Sequence, residues 1–441
     1  MRYLSQIFQP IITIPKNAKI KNTEITCKSQ KLLLECGLVR PTGTGFFSIL
    51  PLARRSMDKL EALIRKGIES VGAQNITLPT LTPSSLWERT GRLGSEAELL
   101  TVEDRHEKQY LLAPTYEEAV ADLLSDVGPI SYKQLPLLLY QISNKFRDEH
   151  RPKHGLLRAR EFAMMDAYGV HATLACAERA YERISEAYRR IFEELQLQVF
   201  RVSAPSGVMG GTVSHEWQLP AAPGEDRLCV CLSCHHASTS EGRCEVCGGE
   251  TESLGSIEVG HTFILGTKYS DPLKAHFIPP SGPAEPLVMS CYGIGITRLL
   301  AASLEALSSD KSLRWPRHIA PYSVLVIGPK EGSKEWSAHG ADSINSLYRR
   351  LSEVPGLTND ILVDDRHTLT IGKRLLMGDK MGFPYIIVCG RSTLDNPPKY
   401  EVYKSVPHQQ SAPVLLNLEE LLIMLTDKVE CDNLKILENK N

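Results

Sequence analysis

The sequence predicts an α+β protein in which a domain built on an antiparallel sheet is followed by a small α/β domain. Three observations support this fold class. Residues 137–147 and 158–166 alternate polar and apolar side chains, as two strands of one sheet do. Residues 292–298 form a glycine-rich strand end that leads into leucines at helical spacing. Beyond residue 314, short apolar runs alternate with helical segments, which is typical of a largely parallel sheet.

Length and composition are those of an ordinary globular protein. A chain of 441 residues predicts two or three domains, and 42% hydrophobic and 23% charged residues are unremarkable values. No apolar stretch reaches the ~18 residues of a membrane span, so we expect no membrane partner. The net charge of −2 argues against a protein that binds nucleic acid over most of its surface. A local basic surface at 145–160, with six Lys or Arg against two acids, still suits RNA.

Residues 1–25 carry lysines and an arginine but no acid before Glu24. This composition resembles an organellar transit segment and favours the mitochondrial matrix; a cytoplasmic protein with an ordinary N-terminal extension is the alternative. The eleven cysteines are mostly scattered, which fits either reducing compartment.

The segment 137–166 is predicted to be a hairpin with functional side chains on one face. Strand alternation puts Arg147 and Glu149 on the same face, and Arg158 and Phe162 share one register of the returning strand. The connection between the strands is too long for a tight turn. These four side chains suit an α-phosphate, an adenine edge and an adenine ring.

Three later segments complete the predicted layout. Residues 174–195 predict an amphipathic helix that packs and carries no chemistry. Arg298 falls in the first turn of a helix, near its positive end, where a terminal phosphate is stabilised. In the C-terminal domain, strands are expected at 322–328, 361–365 and 385–390 and helices near 334–352 and 372–380.

The segment 229–249 contains two CxxC pairs that are nine residues apart: Cys231 and Cys234, then Cys244 and Cys247. Four thiolates can close a tetrahedron around Zn²⁺, so the pairs predict a structural zinc site, with Cys229 as a spare ligand. A knuckle without metal is the alternative.

The arginine-bearing segments resemble motifs 2 and 3 of the class II aminoacyl-tRNA synthetases, and 71–79 resembles their dimer-forming motif 1. Within that class the chain is similar to the prolyl-tRNA synthetases of bacterial and mitochondrial type over nearly its whole length. The segments that carry this similarity are 112–118, 131–136, 144–152, 210–217, 257–270 and 289–298.

The resemblance implies an ATP-dependent ligase that converts L-proline to prolyl-adenylate and transfers it to tRNA(Pro). It further implies a homodimer, Mg²⁺ bound with ATP, a catalytic domain at 26–312 and an anticodon-binding domain at 318–441. This copy departs from the family pattern at 367–374, which lacks a common arginine. Anticodon contacts are therefore assigned to the domain as a whole.

Site residues follow from the same resemblance. Arg147 would contact the α-phosphate and Arg298 the γ-phosphate, while Glu149 and Phe162 would hold adenine and Arg158 would add to the ATP site. Thr115 and Glu117 would receive the secondary ammonium of proline; a helix start is the alternative explanation of this pair, and both can hold. Further positions implied for the pocket are His261, Phe263, Ser290 and Cys291, together with Glu258, which would also bind Mg²⁺. Simple packing is the alternative for His261 and Cys291.

Two competing functions remain at this stage. A noncatalytic paralogue would be expected to lose the motif residues, yet Arg147, Glu149, Phe162 and Arg298 are all present. Another class II specificity is opposed by Thr115, Glu117, Glu258 and His261.

The large editing domain of many bacterial relatives is predicted to be absent. About 90 residues separate Ala167 from Glu258, and the helix at 174–195, the 210–217 segment and the cysteine knuckle already occupy them.

Overall fold

The structure is a computed structural model that describes residues 1–10, 25–94 and 98–426. The two large sheets have the fold class that the sequence predicts: a mainly antiparallel sheet and then a largely parallel one. Helices in the described residues are α1 Lys28–Glu35, α2 Pro51–Glu69, α3 Ser84–Arg89, α4 Glu117–Asp126, α5 Leu174–Glu194, α6 Ser270–Leu273, α7 Ile296–Leu307, α8 Lys334–Ser352 and α9 Ile371–Met381.

The strands of the N-terminal part are β1 Val39–Gly43, β2 Phe46–Ile49, β3 Gln74–Asn75, β4 Leu81–Pro83, β5 Leu100–Glu103, β6 Gln109–Leu112, β7 Ile130–Ser131, β8 Leu137–Phe146, β9 Glu161–His171, β10 Phe200–Ser203, β11 Val213–Pro220, β12 Asp226–Cys231, β13 Ala237–Ser238, β14 Thr251–Gly266, β15 His276–Ile278, β16 Glu285–Pro286 and β17 Val288–Gly295. Those of the C-terminal part are β18 Val324–Ile327, β19 Ile361–Asp364, β20 Tyr385–Val388, β21 Tyr400–Val406, β22 Gln409–Gln410 and β23 Val414–Leu416.

The central sheet runs in the order β10-β11-β14-β17-β9-β8-β3, and β12 and β13 extend it beside β14. Neighbours pair antiparallel except for β3, which pairs parallel with β8 at the edge. In the predicted hairpin, Lys145 lies opposite Phe162 and Gln141 lies opposite Asp166. Directly opposed residues project from the same face of a sheet. The predicted register is therefore confirmed for the paired residues, whereas Arg147, Glu149, Arg158 and Arg160 lie beyond the strand ends at Phe146 and Glu161.

Two apolar cores cover the two faces of this sheet. The helix predicted to be amphipathic, α5, buries Tyr181, Ile184 and Tyr188 with α2 and α7 in one core. The other core contains Tyr168, Phe263 and Cys291 of the sheet together with residues of α3 and α4. Polar groups embedded on this second side therefore lie in surroundings of low polarity.

The C-terminal sheet has the order β19-β18-β20-β21-β22, with β23 beside β21. The first three strands are parallel, as the alternation of strand and helix predicts, and β21 is antiparallel to β20. Helix α8 spans the predicted residues but breaks at Gly340, whose φ of 52° lies in the left-handed region that glycine adopts readily.

Several contacts join the two parts of the chain. Asp360, just before β19, pairs with Arg55 and Lys59 of α2 at 3.0 and 2.7 Å. Residues 1–10 belong to the predicted transit segment and lie against the C-terminal part, where Val363 donates its backbone N–H to the Arg2 carbonyl. Residues 11–24 of that segment and residues 427–441 lie outside the described residues. None of the described helices combines the length and apolar character needed to cross a membrane.

Candidate active site

Two adjoining cavities of about 340 and 280 Å³ open on the face of the central sheet opposite α5. Both are lined by the side chains of Glu98, Arg147, Leu157, Glu258 and Arg298. The larger cavity brings together most of the predicted site residues: Thr115, Glu117, Arg147, Phe162, Glu258, His261, Phe263, Cys291 and Arg298. Glu149 and Arg158 line the smaller one. Segments almost 200 residues apart thus meet in one site.

Ser290 is the exception, and its predicted place in the proline pocket is wrong. Its side chain is fully buried and bonds to His171 and to the hydroxyl of Tyr292. Cys291, the next residue of β17, lines the cavity. Successive side chains of a strand project to opposite faces, so the Ser290 side chain points away from that of Cys291 and reaches His171 instead.

Thr115 and Glu117 lie at one end of the larger cavity. The Thr115 hydroxyl donates to the Glu117 carboxylate at 2.6 Å, and Glu117 is only 2% exposed. Tyr116 occupies the N-cap position of α4 and no side chain caps this helix, so the helix-cap interpretation of Thr115 is wrong. Glu117 is the first residue of α4, where the positive end of the helix stabilises a carboxylate.

The structure adds residues that the sequence interpretation missed at this end. Arg92, Met164, Asp166 and Tyr168 also line the larger cavity. Met164 and Asp166 continue the β9 register of Phe162, so alternation alone could have found them. Arg92 follows α3 in a segment without a regular pattern, and no sequence signal pointed to it.

The sequence interpretation placed Lys145 in an exposed basic surface, and this is wrong. It is fully buried on β8, where it pairs with Asp166 and bonds to the Ser143 hydroxyl at 2.7 Å. Burial lowers the pKa of Lys145, although the Asp166 carboxylate acts in the opposite direction. Asp166 also accepts hydrogen bonds from Gln141 and Tyr168.

A hydrogen-bonded chain lies in the middle of the cavity. His261 bonds to the Glu258 carboxylate at 2.9 Å and to the Ser214 hydroxyl at 2.8 Å, and its ring stacks on Phe263 with centroids 4.0 Å apart. Burial opposes ionisation of Glu258, but the hydrogen bond to His261 and the charge of Arg298 outweigh it and lower the pKa of the carboxyl. Glu216 lies close enough to join Glu258 and His261 around a cation.

The arginines surround the opposite end. The Arg298 guanidinium donates to the carbonyls of Leu157 and Glu258 at 2.9 and 3.3 Å, so its position is fixed before any ligand binds. Arg298 lies in the first turn of α7, as predicted. The Arg147 guanidinium lies 5.3 Å from the centre of the Phe162 ring. Arg147 and Arg298 thus line both cavities, whereas the buried carboxylate of Glu117 lines the larger one alone.

At the mouth of the smaller cavity, Arg158 donates to Glu149 at 2.6 Å and to Glu225 at 2.8 Å. Glu225 also pairs with Lys153 at 2.7 Å. The basic residues of the 150–160 loop are thus partly neutralised by acids.

The cysteine knuckle closes the hairpin of β12 and β14. The Sγ atoms of Cys231 and Cys247 are 3.4 Å apart, and those of Cys234 and Cys244 are 3.6 Å apart. All four lie within 4.8 Å of one another. Tetrahedral Zn²⁺ with Zn–S bonds of about 2.3 Å requires S···S distances of roughly 3.8 Å. The four thiols therefore fit one zinc ion.

Comparison with known proteins gives one consistent result. Residues 100–307 match the tRNA synthetase class II core domain (G, H, P, S and T). The chain is 42% identical over 440 residues to a Rattus norvegicus protein named "Probable proline--tRNA ligase, mitochondrial", covering 96% of this chain and 90% of the relative. It is 35% identical over 403 residues to a "Proline--tRNA ligase" of Sulfurimonas denitrificans, covering 85% of this chain and 90% of the relative.

Solved structures agree on the fold. The chain superposes with a TM-score of 0.77 on a Giardia lamblia prolyl-tRNA synthetase in complex with prolyl-adenylate, at 21% identity over 93% of this chain and 80% of that one. A Cryptosporidium parvum prolyl-tRNA synthetase complexed with L-proline and AMP gives a TM-score of 0.72 at 16% identity, over 93% of this chain and 76% of that one.

Proposed function

The chain belongs to the prolyl-tRNA synthetase family of class II, and we propose that its two adjoining cavities form the site of proline activation and transfer. It is an aminoacyl-tRNA ligase that uses ATP to convert L-proline to prolyl-adenylate and then charges tRNA(Pro). The observation that carries the site assignment is the distribution of the predicted residues over the two cavities: Thr115 and buried Glu117 line the larger one alone, whereas Arg147 and Arg298 line both.

In the first step, a carboxylate oxygen of proline attacks the α-phosphorus of ATP, and the bond from that phosphorus to pyrophosphate breaks. Glu117 and Thr115 hold the ammonium, while Arg147 and Arg298 stabilise the charge that develops on the α- and γ-phosphates. Phe162 stacks on adenine, and Glu149, together with Arg158, completes the nucleotide site. Burial raises the pKa of Cys291 well above its usual value, so it remains a neutral thiol that packs beside proline.

In the second step, a hydroxyl of the terminal ribose of the tRNA attacks the prolyl carbonyl, and AMP leaves. No residue forms a covalent intermediate in either step. Glu258, with Glu216 and His261 nearby, offers the oxygen-rich ligand set that suits Mg²⁺ bound with ATP, which would neutralise phosphate charge.

Exchange of labelled pyrophosphate into ATP that depends on proline tests this function. Robust exchange with proline is expected, because adenylate formation is reversible. A noncatalytic paralogue would give no exchange with any amino acid, and a different specificity would give exchange with another amino acid only.

We propose one structural zinc ion at Cys231, Cys234, Cys244 and Cys247, at the solvent end of the β12–β14 hairpin. Elemental analysis should give about one zinc per chain. Cys244→Ser should lower zinc content and destabilise the hairpin more than it alters proline binding. Cys176→Ser, which lies outside the knuckle, is the matched control. If protein purified in the absence of chelators contains no zinc, the proposed site is refuted.

We propose that the protein is a homodimer that associates through the 71–79 segment. In support, β3 is the edge strand of the central sheet, and Gln74 and Asn75 are exposed. An exposed strand edge is available for pairing with a second chain. Light scattering at micromolar concentration should therefore give twice the mass of the chain, and a monomer mass would refute the interface.

The site is expected to activate alanine as well as proline. A pocket shaped for proline excludes larger side chains by collision, but it rejects alanine only through lost contacts, worth about 1–3 kcal/mol per missing methylene. The enzyme should therefore make detectable alanyl-adenylate and should not deacylate added alanyl-tRNA. The opposite result would be rapid hydrolysis of alanyl-tRNA by the enzyme. If a mutation between residues 200 and 258 abolished that hydrolysis, an editing site would lie in this segment.

We further propose a mitochondrial location, since relatives that are 42% identical are named mitochondrial. The matrix is the compartment where such an enzyme would meet organellar tRNA. Residues 318–441 would contact the anticodon.

A further inference from the structure

A buried charge cluster lies behind the proposed proline site. The Arg92 guanidinium is 3.1 Å from the Glu118 carboxylate and 3.6 Å from the Glu117 carboxylate. Glu118 also accepts a hydrogen bond from the Thr90 hydroxyl at 3.0 Å. All three charged side chains are at most 2% exposed. Arg92 and Glu117 line the larger cavity, whereas Glu118 does not.

The charges of this cluster do not cancel. Arg92 faces two adjacent carboxylates, and among the described residues the other cation beside them, Lys145, pairs with Asp166. One negative charge is therefore left over in surroundings of low polarity, and a bound cation would neutralise it. The shorter distances join Arg92 to Glu118, so the surplus charge resides mainly on Glu117, which faces the cavity.

We infer that Arg92 and Glu118 form a positioning pair that keeps Glu117 ionised and oriented for the secondary ammonium of proline. Glu118 makes the shorter contacts with the guanidinium, so Glu117 is not fully paired with it, and the positive charge of Arg92 favours ionisation of the two adjacent carboxyls. This inference rests on the proposed function, because it takes Glu117 as the ammonium ligand. Neither residue needs to touch the reacting atoms.

The titration of Glu118 sets the pH range of this arrangement. Its pKa is raised to about 7 because burial outweighs the opposing charge of Arg92 and the charge of Glu117 adds to the effect of burial, so the surplus negative charge is complete only above about pH 7. The other titratable groups that face the cluster are Asp166 and Tyr168 of β9, Lys145 of β8, Tyr269 before α6 and Cys291 of β17. Burial raises the pKa of Tyr168, Tyr269 and Cys291, so these three stay neutral near pH 7.

A double-mutant cycle on the full-length enzyme tests the pair. Glu118→Gln keeps the size of the side chain, but it frees Arg92 to neutralise Glu117, so KM for proline should rise about tenfold. Arg92→Met leaves two buried carboxylates that cannot both ionise, and its KM for proline should rise similarly. The double variant restores the original net charge, so its KM should return to within about threefold of the wild type.

Two further readouts separate this role from a merely structural one. KM for ATP should stay constant in all variants. In Arg92→Met the raised pKa of the carboxyl pair leaves a proton bound near neutral pH, so KM for proline should fall as pH rises from about 7 to 9. Circular dichroism checks that each variant is folded, and Glu118→Gln alone still tests the pair if Arg92→Met does not fold.

The possible failures are distinguishable. Absence of exchange in the wild type would refute the proposed function, and an unchanged KM for proline in Glu117→Gln would refute the ammonium site. If both hold, an unchanged KM in Glu118→Gln, or a double variant whose defect equals the product of the two single defects, would overturn the positioning pair.

Discussion

Replacing Arg298 or Arg147 with alanine is expected to lower kcat for proline activation by roughly 10²-fold or more, with the fold intact. Both arginines line the cavities, and Arg298 is held by the carbonyls of Leu157 and Glu258. A donor held in place before the reaction stabilises developing phosphate charge without the cost of reorganisation, and removal of one such donor typically costs that much. Pyrophosphate exchange at saturating proline and ATP measures the effect.

The matched control is Arg190→Ala on α5. This side chain is exposed, pairs with Glu186 and lines neither cavity, so its kcat should equal that of the wild type. Thermal unfolding should be similar for all three variants. Proline activation at a normal rate in Arg147→Ala would refute the assignment of the β8–β9 hairpin to the α-phosphate.

Strand alternation explains why much of this site could be predicted from the sequence. In β9 the alternate side chains of Phe162, Met164 and Asp166 line the cavity, and Arg147 follows directly after β8, so one correct register of the hairpin gave Arg147 and Phe162 together and also contained Met164 and Asp166. The same rule explains the error at Ser290: its side chain was assigned to the same pocket as that of Cys291, although adjacent side chains of a strand project to opposite faces.

The remaining residues of the site depend on long-range packing. Arg92 reaches the cavity because α3 packs beside α4, and its guanidinium stacks on Trp87, 4.4 Å from the ring centre. Lys145 looks like part of a basic loop in the sequence, but β8 carries it into the interior to meet Asp166. Such pairs join distant segments, and no local pattern encodes them. The CxxC pairs were predictable because their geometry is local.

Glu117→Gln is expected to raise KM for proline by about 10²-fold and to change KM for ATP little. The carboxylate is buried, lines the larger cavity but not the smaller one, and accepts a hydrogen bond from Thr115. A buried ammonium without its anion loses roughly 3 kcal/mol or more, which corresponds to that factor in affinity. Thr115→Ala should act in the same direction with a smaller effect, because it removes one neutral hydrogen-bonding group.

Glu353→Gln at the end of α8 is the matched control, since this glutamate is exposed and remote from both cavities. Initial-rate pyrophosphate exchange at varied proline, with ATP saturating, gives KM and kcat separately. The physical distinction is that Glu117 would bind a charge present in both the ground state and the transition state, so its loss should appear in KM. The arginines, in contrast, would meet charge that grows during the reaction. A Glu117→Gln variant with normal KM for proline and reduced kcat would mean that this carboxylate serves the chemical step and that another group receives the ammonium.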